Sequence, residues 1–81
     1  MQKVIRSNKD LGAAIRLARK ASNLRQADVA RKASVRQALV SEIENGAITA
    51  RLDTVMRVLA ALDLDLSVIP RCTTGFDPAA Y

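Results

Sequence analysis

The sequence predicts a small all-α helical bundle followed by one short β-strand. Over residues 8–62, apolar side chains recur at helical spacing and are interrupted by turn residues. From residue 64 the period changes, because "LDLSV" alternates apolar and polar side chains as a half-buried strand does. We expect a single domain over residues 1–70, with the strand at about 64–69, and a flexible tail over 71–81.

The first helix is predicted to begin at Ser7 and to end at Ser22-Asn23. Ser7 is a favoured N-cap residue, and Asp10 follows three positions later, where the acid of a capping box belongs. Asn23 tolerates the left-handed backbone that often ends a helix.

Two short helices follow, at about 26–32 and 36–44, with "ASV" as the turn between them and Asn45-Gly46 as a stop. A fourth helix opens at 51–53. The apolar residues predicted to face the core from these three helices are Val29, Ala33, Val40, Ile43, Leu52, Val55, Met56, Leu59 and Leu62.

A lone strand exposes unpaired backbone groups, so it needs a partner. Residues 3–6 of the same chain are one candidate. The same strand of a second copy is the other, and that pairing would form a two-fold homodimer. The core is built mainly from Ala, Val, Leu and Ile, and such small side chains each contribute little buried area. This composition also favours stabilisation by a second copy of the chain.

The charge is unevenly distributed along the chain. Residues 1–40 contain ten basic and two acidic residues, a net of +8, whereas residues 41–81 contain three and six, a net of −3. A basic half favours a polyanionic partner; the alternative is an ordinary solvated surface.

Several function classes are disfavoured. The chain has no His, one Cys (Cys72) and no paired carboxylates with a substrate role, so we expect no enzyme, no metal and no cofactor. No stretch approaches roughly 18 apolar residues and no signal peptide is present, which predicts a cytoplasmic protein that does not enter a membrane.

The stretch "RQADVARKASVRQALVSEIENG" has the plan of a helix-turn-helix, in which the second helix enters the major groove of DNA. Ala30 supplies the small residue where the two helices cross, and Val35 supplies an apolar plug for the turn.

The outward face of the second of these helices is suited to reading bases. Gln37 can bond adenine, Arg36 can bond guanine or a phosphate, and Ala38 can touch a thymine methyl group. Ser41 lies on the same face, and Leu39 and Glu42 are left open as further readers. Alternatively, these are ordinary solvent-facing residues of a bundle, which is the better interpretation for Gln37 alone but not for the whole set.

The same stretch resembles the phage-repressor-type (Xre/Cro/C1) helix-turn-helix family, whose pattern runs from L-T-Q-x-x-L-A through a turn to x-x-E-N-G. The similarity covers about residues 9–62, and the C-terminal "LDLDLSVI" is similar to HipB-type antitoxins. The matching positions are Leu24, Gln26, Val29, Ala30, Ile43, Glu44, Asn45 and Gly46.

The resemblance implies a lambda-repressor-like DNA-binding fold and roles for several residues. Gln26 would contact a phosphate and brace Gln37, and Asn45 with its loop would hold the next phosphate through main-chain N–H groups. Arg51 would lie near the DNA backbone. Arg36 and Ser41 would contact backbone or base edges, and Arg19 and Glu44 would form a buried structural ion pair.

Two departures from the family pattern stand out. Arg25 replaces the usual cap of the second helix, which loses about 1 kcal/mol of capping but adds a positive charge beside the phosphates. Ser34 stands where Gly is usual in the turn, which indicates strain or an altered turn.

The function implied is a dimeric repressor of a near-palindromic DNA operator, acting as a HipB-like antitoxin that represses its own operon and binds a HipA-like kinase toxin. The alternatives are a phage or housekeeping repressor without a toxin, and a helical module that binds an acidic protein.

Overall fold

The structure, a computed structural model, describes residues 4–71 and contains four α-helices. They are α1 (Asn8–Ala21), α2 (Gln26–Ala33), α3 (Gln37–Glu44) and α4 (Leu52–Ala61). All four predicted helices are confirmed, with boundaries that differ by one or two residues. The buried apolar residues form one cluster between the helices: Ile15, Val29, Ala30, Ala33, Val40, Ile43, Val55, Val58, Leu59 and Leu62.

Local hydrogen bonds set the limits of α1. The Ser7 hydroxyl accepts from the Asp10 N–H at 3.1 Å, and the Asp10 carboxylate accepts from the Arg6 N–H at 3.0 Å. The first bond occupies a donor that the first helical turn leaves unpaired, and the second ties the residue before the cap to the helix. At the other end Asn23 is left-handed, with φ 57°, which a short polar side chain tolerates. The predicted start and end of α1 are confirmed.

The backbones of α1 and α3 approach each other at Gly12. A Cβ atom on this residue would collide with the carbonyl oxygen of Ile43 and lie 2.8 Å from that of Glu44. Only glycine fits there, so α1 passes directly against the C-terminal end of α3.

The turn between α2 and α3 is tight. Ser34 is left-handed, with φ 58° and ψ 45°, so the strain expected where Ser replaces Gly is present. The next residue, Val35, donates its N–H to the carbonyl of Ala30 at 2.9 Å and packs against the core, as the predicted plug should. This turn holds α3 against α2.

The predicted strand at 64–69 is not formed: residues 4–71 contain no β-strand, and this prediction is wrong for the single chain. The chain leaves α4 through a left-handed Asp63, and Leu64 donates its N–H to the carbonyl of Leu59 at 2.8 Å. Beyond it Val68 is 95% exposed, and Leu66 and Ile69 are also exposed. A strand needs a backbone partner to close its hydrogen bonds, and this segment pairs with no other part of residues 4–71.

The inner face of α4 lies further round the helix than predicted. Val55, Leu59 and Leu62 are buried as expected, and so is Val58, which was not predicted, whereas Leu52 and Met56 are exposed. Apolar residues occupy more than one side of α4, so their period alone does not decide which side faces the core. The predicted tail lies outside the described residues from position 72 onwards.

Candidate nucleic-acid interface

The first turn of α3 is exposed to solvent. Arg36, the N-cap residue, and then Gln37 and Ala38 are consecutively exposed. The side chains of Arg36 and Gln37 have no hydrogen-bond or ion-pair partner within residues 4–71. Their polar groups are therefore available to an external molecule.

The opposite side of α3 is anchored in the core. Val40 and Ile43 are fully buried, as predicted. Leu39 is half-buried and packs against the core cluster, so packing accounts for it without base contact. Ser41 and Glu42 are half-buried at the edge of the exposed face. The helix thus offers its N-terminal turn, where recognition helices contact bases, while its C-terminal half is fixed.

The start of α2 lies under a buried polar network. The Arg19 Nε donates to Glu44 Oε2 at 2.6 Å and its Nη2 donates to Glu44 Oε1 at 3.0 Å. The Arg19 Nη1 also donates to the carbonyl of Leu24 at 3.0 Å, and Gln26 donates through Nε2 to Glu44 Oε1 at 3.2 Å. One carboxylate therefore ties the end of α1, the start of α2 and the end of α3 together.

Burial and hydrogen bonding act against each other on Glu44. Its side chain is 2% exposed and that of Arg19 is 12% exposed. Burial raises the pKa of Glu44, but the hydrogen bonds from Arg19 and Gln26 outweigh it and the pKa lies below its ordinary value. The hydrogen bond with Glu44 raises the pKa of Arg19 in turn. Both groups are charged at neutral pH, as the resemblance implied for a structural pair.

Gln26 is half-buried and occupied by this network. Its amide bonds Glu44 and forms no hydrogen bond with Gln37, so the bracing contact expected with Gln37 is not made within the single chain. The amide still has a second N–H that it can donate to a phosphate.

Arg25 caps α2 in an unexpected way. Its own side chain cannot accept a hydrogen bond, but its backbone N–H donates to Asp28 Oδ2 at 2.9 Å. Its guanidinium then folds over the same carboxylate, and Arg31 donates to it from the next turn at 2.9 Å. The predicted cation is at the surface, but it is partly neutralised. The signal for this cluster was Asp28, three residues after the cap, and we missed Arg31.

The loop after α3 differs in part from the expectation. Asn45 is exposed, but its N–H donates to the Ser41 carbonyl at 3.0 Å. The N–H groups of Gly46 and Ala47 donate to Ile43 and Glu42 at 3.0 and 2.9 Å. These three donors close the end of the helix, so a phosphate here would meet the Asn45 side chain or donors further along the loop.

Arg51 is the N-cap residue of α4 and is almost fully exposed. Its Nε lies 3.5 Å from Asp53 Oδ1, a loose surface ion pair that is worth little to stability. The guanidinium can therefore reorient towards an anion. None of the helices in residues 4–71 is long and apolar enough to cross a membrane.

Comparison with known proteins agrees with this geometry. A family model described as a helix-turn-helix domain matches residues 10–71. The uncharacterized HTH-type transcriptional regulator y4mF of Sinorhizobium fredii is 35% identical over 69 residues, which are 85% of this chain and 91% of that protein.

Two solved structures show the same fold. HipB in a complex with an O4 20mer aligns with a TM-score of 0.77 and 30% identity, over 86% of this chain and 97% of that one. The structure of a HipA–HipB–O2–O3 complex aligns with the same values. The chain therefore belongs to the helix-turn-helix domain family, among the phage-repressor-type transcriptional regulators, and is similar to HipB.

Proposed function

We propose that this protein is a sequence-specific DNA-binding repressor that recognises its operator with the N-terminal turn of α3. The observation that carries the proposal is the run of three exposed residues, Arg36, Gln37 and Ala38. The polar side chains of the first two have no partner in the part of the chain that the structure describes. They stand on a helix whose opposite side is locked into the core. Gln37 suits adenine, Arg36 suits guanine or a phosphate, and Ala38 suits a thymine methyl group.

The residues around this turn supply contacts to the DNA backbone. Arg25, Gln26 and Arg51 begin α2 and α4, and Asn45 ends α3. Each is an exposed or half-buried polar side chain, and Ser41 lies at the edge of the reading face. Backbone contacts fix the register of the protein on the duplex, and base contacts choose the sequence.

The direct test compares Gln37→Ala with Arg25→Ala on operator and random duplexes. Loss of the Gln37 amide should weaken operator binding by about 1–3 kcal/mol and relax the sequence preference, because a bidentate base contact is removed. Arg25→Ala should instead weaken binding to both duplexes, because it removes a backbone contact that carries no sequence information directly.

If Gln37→Ala leaves the affinities for operator and random DNA unchanged, α3 does not read bases. A protein-interaction module, the alternative from another class, would give this result together with unchanged affinity for its protein partner.

The repressor is proposed to act as a homodimer on near-palindromic half-sites about one DNA turn apart. The support is a set of exposed apolar side chains in the part of the chain after α3: Leu52, Met56, Leu66, Val68 and Ile69. A second copy would cover some of these side chains, and paired segments at 64–69 would give each other the backbone partner that residues 4–71 do not supply.

Deletion of residues 64–81 tests the dimer. The truncated chain should sediment as a monomer and bind operator DNA poorly, because each DNA-binding domain then binds its half-site alone instead of as one of a linked pair. A stable dimer after the deletion would show that these residues do not make the interface.

The finer role proposed is that of a HipB-like antitoxin that represses its own operon and binds a HipA-like kinase toxin in the cytoplasm. The likeness to HipB, which was solved in a complex with HipA, supports this role. Co-purification with the product of a neighbouring kinase-like gene is the test. A repressor that binds its operator but no such kinase would instead be the stand-alone phage or housekeeping type.

A further inference from the structure

An exposed ionic cluster at the start of α2 consists of Arg25, Asp28 and Arg31. Asp28 Oδ2 accepts from the Arg25 backbone N–H at 2.9 Å and from its Nε at 3.3 Å. Asp28 Oδ1 accepts from Arg25 Nη2 at 3.4 Å and from Arg31 Nη2 at 2.9 Å. One carboxylate therefore holds two guanidinium groups that are otherwise open to solvent.

The cluster has a net charge of +1, because the Asp28 carboxylate offsets the charge of one of the two arginines. The side chains of Arg25 and Arg31 are 82% and 75% exposed, and that of Asp28 is 17% exposed. The backbone and side-chain hydrogen bonds from Arg25 lower the pKa of Asp28, so the carboxylate is ionised at neutral pH. The Nη1 groups of both arginines donate to no atom of residues 4–71 and remain available.

We propose that Asp28 is a specificity-determining residue, which holds Arg25 and Arg31 in one orientation and so weakens binding to DNA of the wrong sequence. The inference rests on the proposed DNA-binding function. When α3 sits in its correct register, the free edges of the held arginines already face the phosphates. On other DNA α3 does not settle into that register, so the phosphates lie at different positions relative to the two arginines. Each arginine must then leave Asp28 to reach a phosphate.

The bond lengths fit such a role. The Arg25 side-chain contacts of 3.3 and 3.4 Å are long for charged hydrogen bonds, so they orient the guanidinium without locking it. Exposed ion pairs of this kind contribute little to folding. The Asp28 carboxylate lies between the two arginines that are proposed to meet phosphates, so its charge opposes any DNA contact that does not compensate for it.

Asp28→Asn is the decisive substitution, because the Asn oxygen can still accept from the Arg25 N–H while the charge is removed. Asp63→Asn is its control. Asp63 follows α4, is exposed and has no ion pair within residues 4–71, and its left-handed φ of 56° suits Asn. Both variants raise the net charge by the same amount.

Dissociation constants would be measured at two salt concentrations for a duplex that the wild-type protein enriches from a random pool, and for an unselected duplex. Asp28→Asn should tighten binding to the unselected duplex about threefold to tenfold and steepen its salt dependence by roughly one unit of log K per log salt. Binding to the enriched duplex should change by less than about twofold. Asp63→Asn should change both duplexes by one common factor.

An Arg25→Gln/Arg31→Gln background separates orientation from bulk charge. There Asp28→Asn should act no differently from Asp63→Asn. The proposal is overturned if Asp28→Asn changes both duplexes equally, or if its effect survives in that background. Asp28→Glu, which keeps the charge, should keep the wild-type discrimination, and its failure to do so would also overturn the proposal.

The proposed function and this inference can fail separately. A wild-type protein that enriches no duplex contradicts sequence-specific repression. The unselected duplex needs no operator, so it still decides whether Asp28 restrains the two arginines.

Discussion

Two arginine–carboxylate groups meet at the start of α2, and they differ in burial. Arg19 and Glu44 are 12% and 2% exposed and share their bonds with Gln26. Arg25 and Asp28, in the first turn of α2, have side chains that are 82% and 17% exposed. Because a buried charge that loses its partner cannot regain water, the first group holds the fold. The second can exchange its partner for a phosphate.

The largest expected effect is on the buried group. Glu44→Ala leaves the Arg19 guanidinium unpaired beneath the three helices that it joins. The free energy of unfolding should fall by about 3 kcal/mol, the low end for buried pairs, since Arg19 keeps some contact with water. Denaturant unfolding followed by circular dichroism measures this, with the half-buried neighbour Glu42→Ala as control. Equal midpoints for the two variants would refute the structural role of the pair.

Acid should weaken the same group. The folded-state pKa of Glu44 lies below its ordinary value of 4.5, so the unfolded chain takes up the proton first as the pH falls. The stabilisation is complete above about pH 4.5 and is lost as the pH drops through the lower folded-state pKa. Unfolding midpoints of the wild type and Glu44→Gln between pH 7 and pH 3 check this, and the variant should be the less acid-sensitive.

The exposed group should hardly affect folding but should affect DNA binding. Arg25→Gln should leave the thermal midpoint nearly unchanged, because exposed ion pairs contribute at most about 1 kcal/mol. The slope of log K against log salt on the enriched duplex should become shallower by roughly one unit, since one phosphate contact is removed. A lowered midpoint with an unchanged slope would mean that Arg25 stabilises the fold and does not contact DNA.

The sequence predicted the four helices well because their limits are local. Ser7 and Asp10 supply the bonds at the start of α1, and Asn23 and Ser34 adopt the left-handed backbone at the two turns. The strand at 64–69 could not be predicted in the same way. An alternating pattern shows that a segment can form a strand, but whether a partner is present is not encoded locally.

For the same reason, the sequence predicted which residues of the candidate site are exposed but not how all of its side chains pair with one another. The exposure of Arg36, Gln37 and Ala38 follows from helical period and the position of the turn. The partners of long side chains do not. Gln26 bonds Glu44, and Arg31 joins Asp28, through contacts that depend on three-dimensional packing and on rotamers.

The most direct test of sequence-specific repression is a titration of the purified protein against the DNA immediately upstream of its own gene, at two salt concentrations, with random DNA as control. We expect preferential binding with a two-fold footprint, and an affinity that falls steeply with salt because several phosphates are neutralised. Equal, weak and salt-sensitive binding to both DNAs would contradict the account, since it would show a basic surface that reads no sequence.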